Sequence, residues 1–131
     1  MQRKPRVAVI GAGIGGIAAA GALRKLGVEV AVYERASDLG EVGAGLQIGP
    51  NGVKVLRALG LEDTLQGLAF EPSAIVSVNW DTAGLRYREP LKGLARHQFD
   101  APYLTAHRAD LHRLLRDTVP DSVIALEARC T

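Results

Sequence analysis

Four glycines, Gly11, Gly13, Gly15 and Gly16, fall within six residues, directly after the apolar run "RVAVI" and before a stretch of small apolar residues. An acid, Glu34, ends the next apolar run, "VEVAVYE". A G-x-G-x-x-G turn with an acid about 20 residues further on has one obvious chemistry, the binding of a diphosphate and a ribose. Gly11 permits a tight turn off a strand, Gly13 lets the main chain approach a pyrophosphate, and Gly16 lets the following helix pack on the sheet. The N–H groups of that turn, those of Ala12, Ile14 and Gly15 included, open a helix whose positive dipole end favours phosphate. Glu34 stands at the carboxyl edge of the second strand, placed to accept hydrogen bonds from both hydroxyls of an adenosine ribose. A carboxylate there disfavours a 2′-phosphate.

The elements that must hold these residues are legible around them. "RVAVI", Arg6 to Ile10, has the composition of a strand buried on both faces of a parallel sheet. Residues 14–26 carry Ala, Leu and Ile at helical spacing and stop at Gly27, and Val28 to Glu34 read as the next strand. Strand, helix and strand within about thirty residues make a βαβ unit. Over it Gly11, Gly13, Gly16, Ala20, Leu23, Gly27, Val30, Val32 and Glu34 fall in the pattern GxGxxGxxxAxxLxxxGxVxVxE, far longer than the bare glycine motif. The fold class is therefore α/β, a Rossmann-like unit on a parallel sheet.

Beyond Glu34 the chain enters a glycine-rich loop, "RASDLGEVGAGLQIGP", too irregular for either period. "NGVKVLRALG" predicts a helix capped by Asn51, with Val53, Leu56 and Leu59 on one face and Gly60 closing it. "LEDTLQGL" continues as a short helix or turn. "AIVSVNWDTAGLRYRE" alternates and turns near Asp81 to Gly84, predicting a half-buried hairpin. A helix runs from about Arg108 to Thr118 with Leu111, Leu114 and Leu115 on its buried face, and "SVIALEARC" reads as a final strand.

Composition narrows the function further. Sixteen basic against 14 acidic residues give a formal charge of +2, and the basic residues are scattered, which disfavours nucleic acid. One cysteine, Cys130, excludes an internal disulfide and suits a reducing compartment. "MQRKPR" before "VAVIGAGIGGIAAA" imitates a signal peptide, but glycines in its apolar segment cost a helix roughly 1 kcal/mol each. Arg24 and Lys25 keep the run too short for a membrane span. The expectation is a soluble cytoplasmic protein with no membrane partner. His107 and His112 are five apart, wrong for two metal ligands on one helical face, and read as surface histidines. Trp80 and Tyr87 read as hairpin packing, and no metal set or Ser/His/Asp constellation is discernible.

Four segments in order, "VIGAGIGG", "YERA", "GAGLQIGPNGVKVLRALGL" and "HRADLHRLL", resemble the class A FAD-dependent aromatic hydroxylases, within them the salicylate hydroxylase and 3-hydroxybenzoate 6-hydroxylase group. The likeness runs over essentially the whole chain. It implies that the Gly11 to Gly16 turn holds the FAD pyrophosphate, that Glu34 holds the ribose, and that Arg35 lies by the adenosine portion. It implies that the loop at Gly45, Leu46 and Gln47 passes near the isoalloxazine and that Arg108 faces the ribityl and phosphate region. Cys130 falls where the family often has a residue whose backbone contacts adenine. The resemblance further implies NAD(P)H as reductant, molecular oxygen, and a small aromatic substrate of the hydroxybenzoate or salicylate type.

Such enzymes run to roughly three times this length, well past a single-domain size. The chain therefore reads as the N-terminal part, 1–131, of an FAD-binding domain, with a hairpin at about 72–100 contributing to the substrate-binding sheet. Catalytic residues are expected beyond residue 131 and in the remainder of the parent chain, and the piece alone is expected to be inactive. Oligomeric state stays open, a homodimer included. Two other readings stand beside this one: an FAD oxidoreductase of the amine-oxidase type, which shares the first βαβ unit, and a non-catalytic nucleotide-binding module.

Overall fold

The computed structural model describes residues 5–40 and 43–131. The basic lead at 1–4, and Glu41 and Val42 within the "GEVGAG" stretch, lie outside the described residues. The chain forms two compact units, one of Met1–Ala44 with Arg108–Thr131 and one of Gly45–His107.

The first unit is built on a parallel sheet. β1 (Arg6–Ile10) pairs with β2 (Glu29–Tyr33) from Arg6↔Glu29 to Ile10↔Tyr33. Between them α1 (Ile14–Lys25) buries Ile17, Ala20 and Gly21, the last two small enough for a helix to lie close against its neighbours. Gly27 ends it with φ +77°, the left-handed conformation that glycine adopts without strain. The expected βαβ unit is therefore present. Burial of β1 on both faces is not: its residues alternate between half-buried and exposed, and Ile10 is 60% exposed. β1 is an edge strand, paired among the described residues with β2 alone, while α1 packs on the sheet and on α5.

The second unit begins inside what the sequence presents as irregular loop. Gly45–Ile48 is a strand, β3, held antiparallel to β6 (Leu104–His107). Both are four residues long, too short to announce a period. Between them α2 (Pro50–Ala58) starts with Pro50 in its first turn, so its N-cap is Gly49 and not Asn51. Val53 and Leu56 are buried as their spacing predicts, and Gly60 closes the helix at φ +82°. α3 (Glu62–Leu68) follows, and α4 (Leu94–Phe99), unforeseen from the sequence, buries Ala95. Arg57 braces these helices: it is paired with Glu62, and it donates to the Asp100 carbonyl at 2.8 Å and carboxylate at 3.1 Å.

The hairpin is present, but only its first strand is in part half-buried. β4 (Ala74–Val78) and β5 (Leu85–Pro90) pair antiparallel with an irregularity at Ser77 and Val78, yet β5 is exposed along its length and Trp80 is 97% exposed. Alternation becomes burial only where a layer covers one face, and a lone pair of strands has none.

In the first unit α5 (Arg108–Arg116) buries Leu111, Leu114 and Leu115 as expected. It also buries His112, which overturns the surface reading of that residue. The predicted last strand contracts to β7 (Ile124–Ala125), parallel to β2 and preceded by a turn of 3₁₀ helix at Asp121–Val123.

Candidate cofactor site

At the end of β1 the chain turns on Gly11, whose φ of +95° only glycine adopts freely and whose N–H donates to the Tyr33 carbonyl at 2.8 Å. Gly13 caps α1, and its carbonyl accepts the Ile17 N–H at 3.0 Å. The glycines of the turn answer to different constraints. A β-carbon on Gly16 would stand 1.9 Å from the Gly11 carbonyl oxygen and 3.4 Å from a Val9 methyl, so the turn and β1 forbid it. On Gly13 a β-carbon would meet nothing within 4 Å, and the backbone there is ordinary extended chain, φ −69° and ψ 178°. Neither conformation nor any described neighbour requires glycine at 13, and the same holds at Gly15.

Glu34 reaches back to this turn. One carboxylate oxygen accepts the Ala12 N–H at 2.7 Å and the other accepts the Ala36 N–H at 2.9 Å. Chiefly through the Ala12 hydrogen bond, then that of Ala36, the carboxyl is held below its ordinary range, against the opposing effect of partial burial. A carboxylate has about four lone-pair sites, more than the N–H groups of Ala12, Ala36 and Arg35 use.

The end of the chain closes beside Glu34. Its N–H donates to the Ala125 carbonyl, and its own carbonyl accepts the Ala128 N–H at 2.8 Å. This stitching brings Cys130 to a cavity of about 390 Å³ lined also by Gly11, Glu34, Arg35 and Arg129. Predicted residues separated by more than a hundred positions thus share one hollow.

Arg108 opens α5, its N–H donating to the Ala44 carbonyl at 3.2 Å. Its side chain runs over Gly43, where a β-carbon would stand 2.8 Å from the Arg108 β-carbon. Gly43 is glycine because Arg108 passes there. Gly45, Leu46 and Gln47 lie on β3 of the second unit, opposite His107, Ala106 and Thr105. The functional neighbour that the sequence reading missed is His112, whose Nε2 lies 2.7 Å from the Ala12 carbonyl oxygen. A histidine one residue after Leu111 and two before Leu114, on the apolar stripe of α5, was the available signal.

The profile of the family described as "FAD binding domain" matches residues 4–126. The chain belongs to the FAD binding domain family. It is 44% identical over 125 residues to the 6-hydroxynicotinate 3-monooxygenase of Pseudomonas fluorescens, covering 95% of this chain and 32% of that one. It is 42% identical to the 3-amino-4-hydroxybenzoate 2-monooxygenase of Streptomyces cremeus, covering 99% and 33%. Among solved structures, Klebsiella pneumoniae HpxO complexed with FAD and uric acid matches with a TM-score of 0.81 and 26% identity, over 95% of this chain and 31% of that one. The chain thus spans about a third of the length of the relatives it matches.

Family membership covers the glycine turn, Glu34 and the strands that hold them. The space at Gly13 is open, Gly11 and Gly16 shape the turn, and Glu34 lies beside the hollow. Among the described residues no helix is long and apolar enough to cross a membrane, and no group of three or more His, Cys, Asp or Glu side chains gathers as a metal set.

Proposed function

We propose that the chain supplies the FAD-binding part of a flavoprotein monooxygenase that places a hydroxyl on a hydroxylated aromatic acid, with NAD(P)H as reductant and oxygen as co-substrate. The observation that carries the cofactor half is the open space at Gly13, in a turn that Gly11 and Gly16 shape beside Glu34. The substrate half rests on the relatives, whose names give hydroxynicotinate and aminohydroxybenzoate as what they act on.

In this reading the Gly11 to Gly16 turn binds the diphosphate through main-chain N–H groups and the α1 dipole. Glu34, ionised at neutral pH, accepts from the ribose hydroxyls with the lone pairs that Ala12, Ala36 and Arg35 leave. The hollow beside Glu34 takes the adenosine, with Arg35 and the backbone at Cys130 on its walls. Arg108 supplies positive charge toward the ribityl and phosphate region. The assignment of Gly45, Leu46 and Gln47 to the flavin ring, and of the hairpin at about 72–100 to a substrate-binding sheet, rests on the resemblance and belongs to the same proposal. Bound FAD supplies the redox chemistry, taking electrons from the nicotinamide and activating oxygen, while the protein's task is to bind and orient it.

The test uses the native gene product. It should purify with FAD, and a hydroxylated aromatic acid should stimulate NAD(P)H oxidation with formation of a hydroxylated product. A product without flavin affinity, or a flavoprotein whose NAD(P)H oxidation no such acid stimulates, overturns the reading.

A further inference from the structure

His112 is the only polar or charged side chain among the described residues that is fully buried, 4% exposed, and nothing in the proposed function uses it. Its Nε2 lies 2.7 Å from the carbonyl oxygen of Ala12, one hundred positions away in sequence. A carbonyl can only accept, so Nε2 carries the hydrogen and donates it. Both the neutral Nε2–H tautomer and the imidazolium satisfy that requirement, and the bond does not depend on which is present.

Ala12 is the hinge of the glycine turn, and each of the two peptides that flank it is clamped. The peptide joining Gly11 to Ala12 is fixed by its N–H, which donates to Glu34 at 2.7 Å. The peptide joining Ala12 to Gly13 is fixed by its carbonyl, which accepts from His112. A trans peptide is planar, with its C=O and N–H pointing opposite ways. Holding the Ala12 carbonyl toward α5 therefore aims the Gly13 N–H away from it. That N–H finds no acceptor among the described residues, and the place of the same glycine's missing side chain is open.

We propose that His112 is a positioning residue for FAD, its Nε2–H fixing the Ala12 peptide so that the Gly13 N–H points at the cofactor's diphosphate. The inference rests on the reading of this turn as the diphosphate site and adds the part that α5 plays in it. His112 touches no cofactor atom in this account; it acts through the main chain.

The test compares His112→Leu and His112→Gln with wild type in the native gene product, stripped of flavin and titrated with FAD by flavin fluorescence. Leucine fills the space without a donor, whereas the glutamine Nε2 reaches the place of the ring nitrogen. Loss of one hydrogen bond should loosen FAD roughly tenfold in His112→Leu, with His112→Gln staying within about threefold of wild type. A merely structural role reverses that order, because leucine suits an apolar stripe better than an amide does. Selective ¹⁵N labelling of histidine gives a second measurement that needs no variant: His112 should carry its hydrogen on Nε2, and the Nδ1–H tautomer overturns the proposal. Leucine binding FAD as tightly as wild type, or glutamine loosening it as much as leucine, also overturns it while the FAD reading stands. A wild-type protein that takes up no FAD overturns both.

Discussion

The carbonyl oxygen of Gly11 occupies the place of the side chain that Gly16 lacks, 1.9 Å from where its β-carbon would be, whereas around Gly13 the chain leaves that place open. One motif thus contains glycines kept for two unrelated reasons. Substitution separates them. Gly16→Ala forces the turn away from α1 and should cost about 3 kcal/mol or more of stability in urea denaturation. Gly13→Ala should cost no more than about 1 kcal/mol, the N-cap preference for glycine over alanine being offset in part through the unfolded state. FAD affinity should nevertheless fall sharply in Gly13→Ala; an alanine variant that binds FAD like wild type means that Gly13 is not at the diphosphate.

Glu34 gives the chain an acid-sensitive clasp. Its carboxyl is held low by the Ala12 and Ala36 N–H groups, so the folded state binds this proton less readily than the unfolded chain, whose glutamates titrate near about 4.3. The stability that follows is complete above the unfolded value and is lost as pH falls through the lower folded value. Glu34→Gln should flatten the acid limb of a melting-temperature profile, because an amide turns a donor toward one of two N–H donors at every pH. The same variant should weaken FAD by at least about tenfold, from the loss of charge-assisted hydrogen bonds.

Gly43→Ala should be felt at Arg108. The new methyl would overlap the Arg108 β-carbon, which cannot swing aside as the far end of a side chain can. Overpacking of this kind costs about 1–3 kcal/mol. Chemical denaturation reads the cost, and an unchanged midpoint with unchanged FAD affinity means that the loop yields without moving Arg108.

Trp80 is the sole tryptophan and is 97% exposed. In the 131-residue chain its emission should match that of tryptophan in water, and acrylamide should quench it fully. Trp80→Ser should change stability by no more than about 0.5 kcal/mol. A blue-shifted, protected emission would place the hairpin under cover.

The glycine turn, the βαβ unit, Glu34 and the buried leucines of α5 were legible in the amino-acid sequence because each is a local arrangement. A turn that needs positive φ at Gly11, an acid at a strand end, and leucines three and four apart on a helix all write themselves into neighbouring residues. The same locality explains the misses. β3 and β6 are four residues long and exist through partners far along the chain, so no period could reveal them, and β7 keeps only two residues of the strand expected there. The exposure of β1 and of the hairpin depended on which neighbours cover them, a matter that alternation along a strand does not record. Only folding brought Cys130 beside Glu34 and seated the His112 ring on the Ala12 carbonyl, for a hydrogen bond across a hundred residues leaves no trace in spacing. The sequence by itself determined what this protein is built to hold; the tertiary structure decided which side chains, from which distant segment, keep the holding peptide in place.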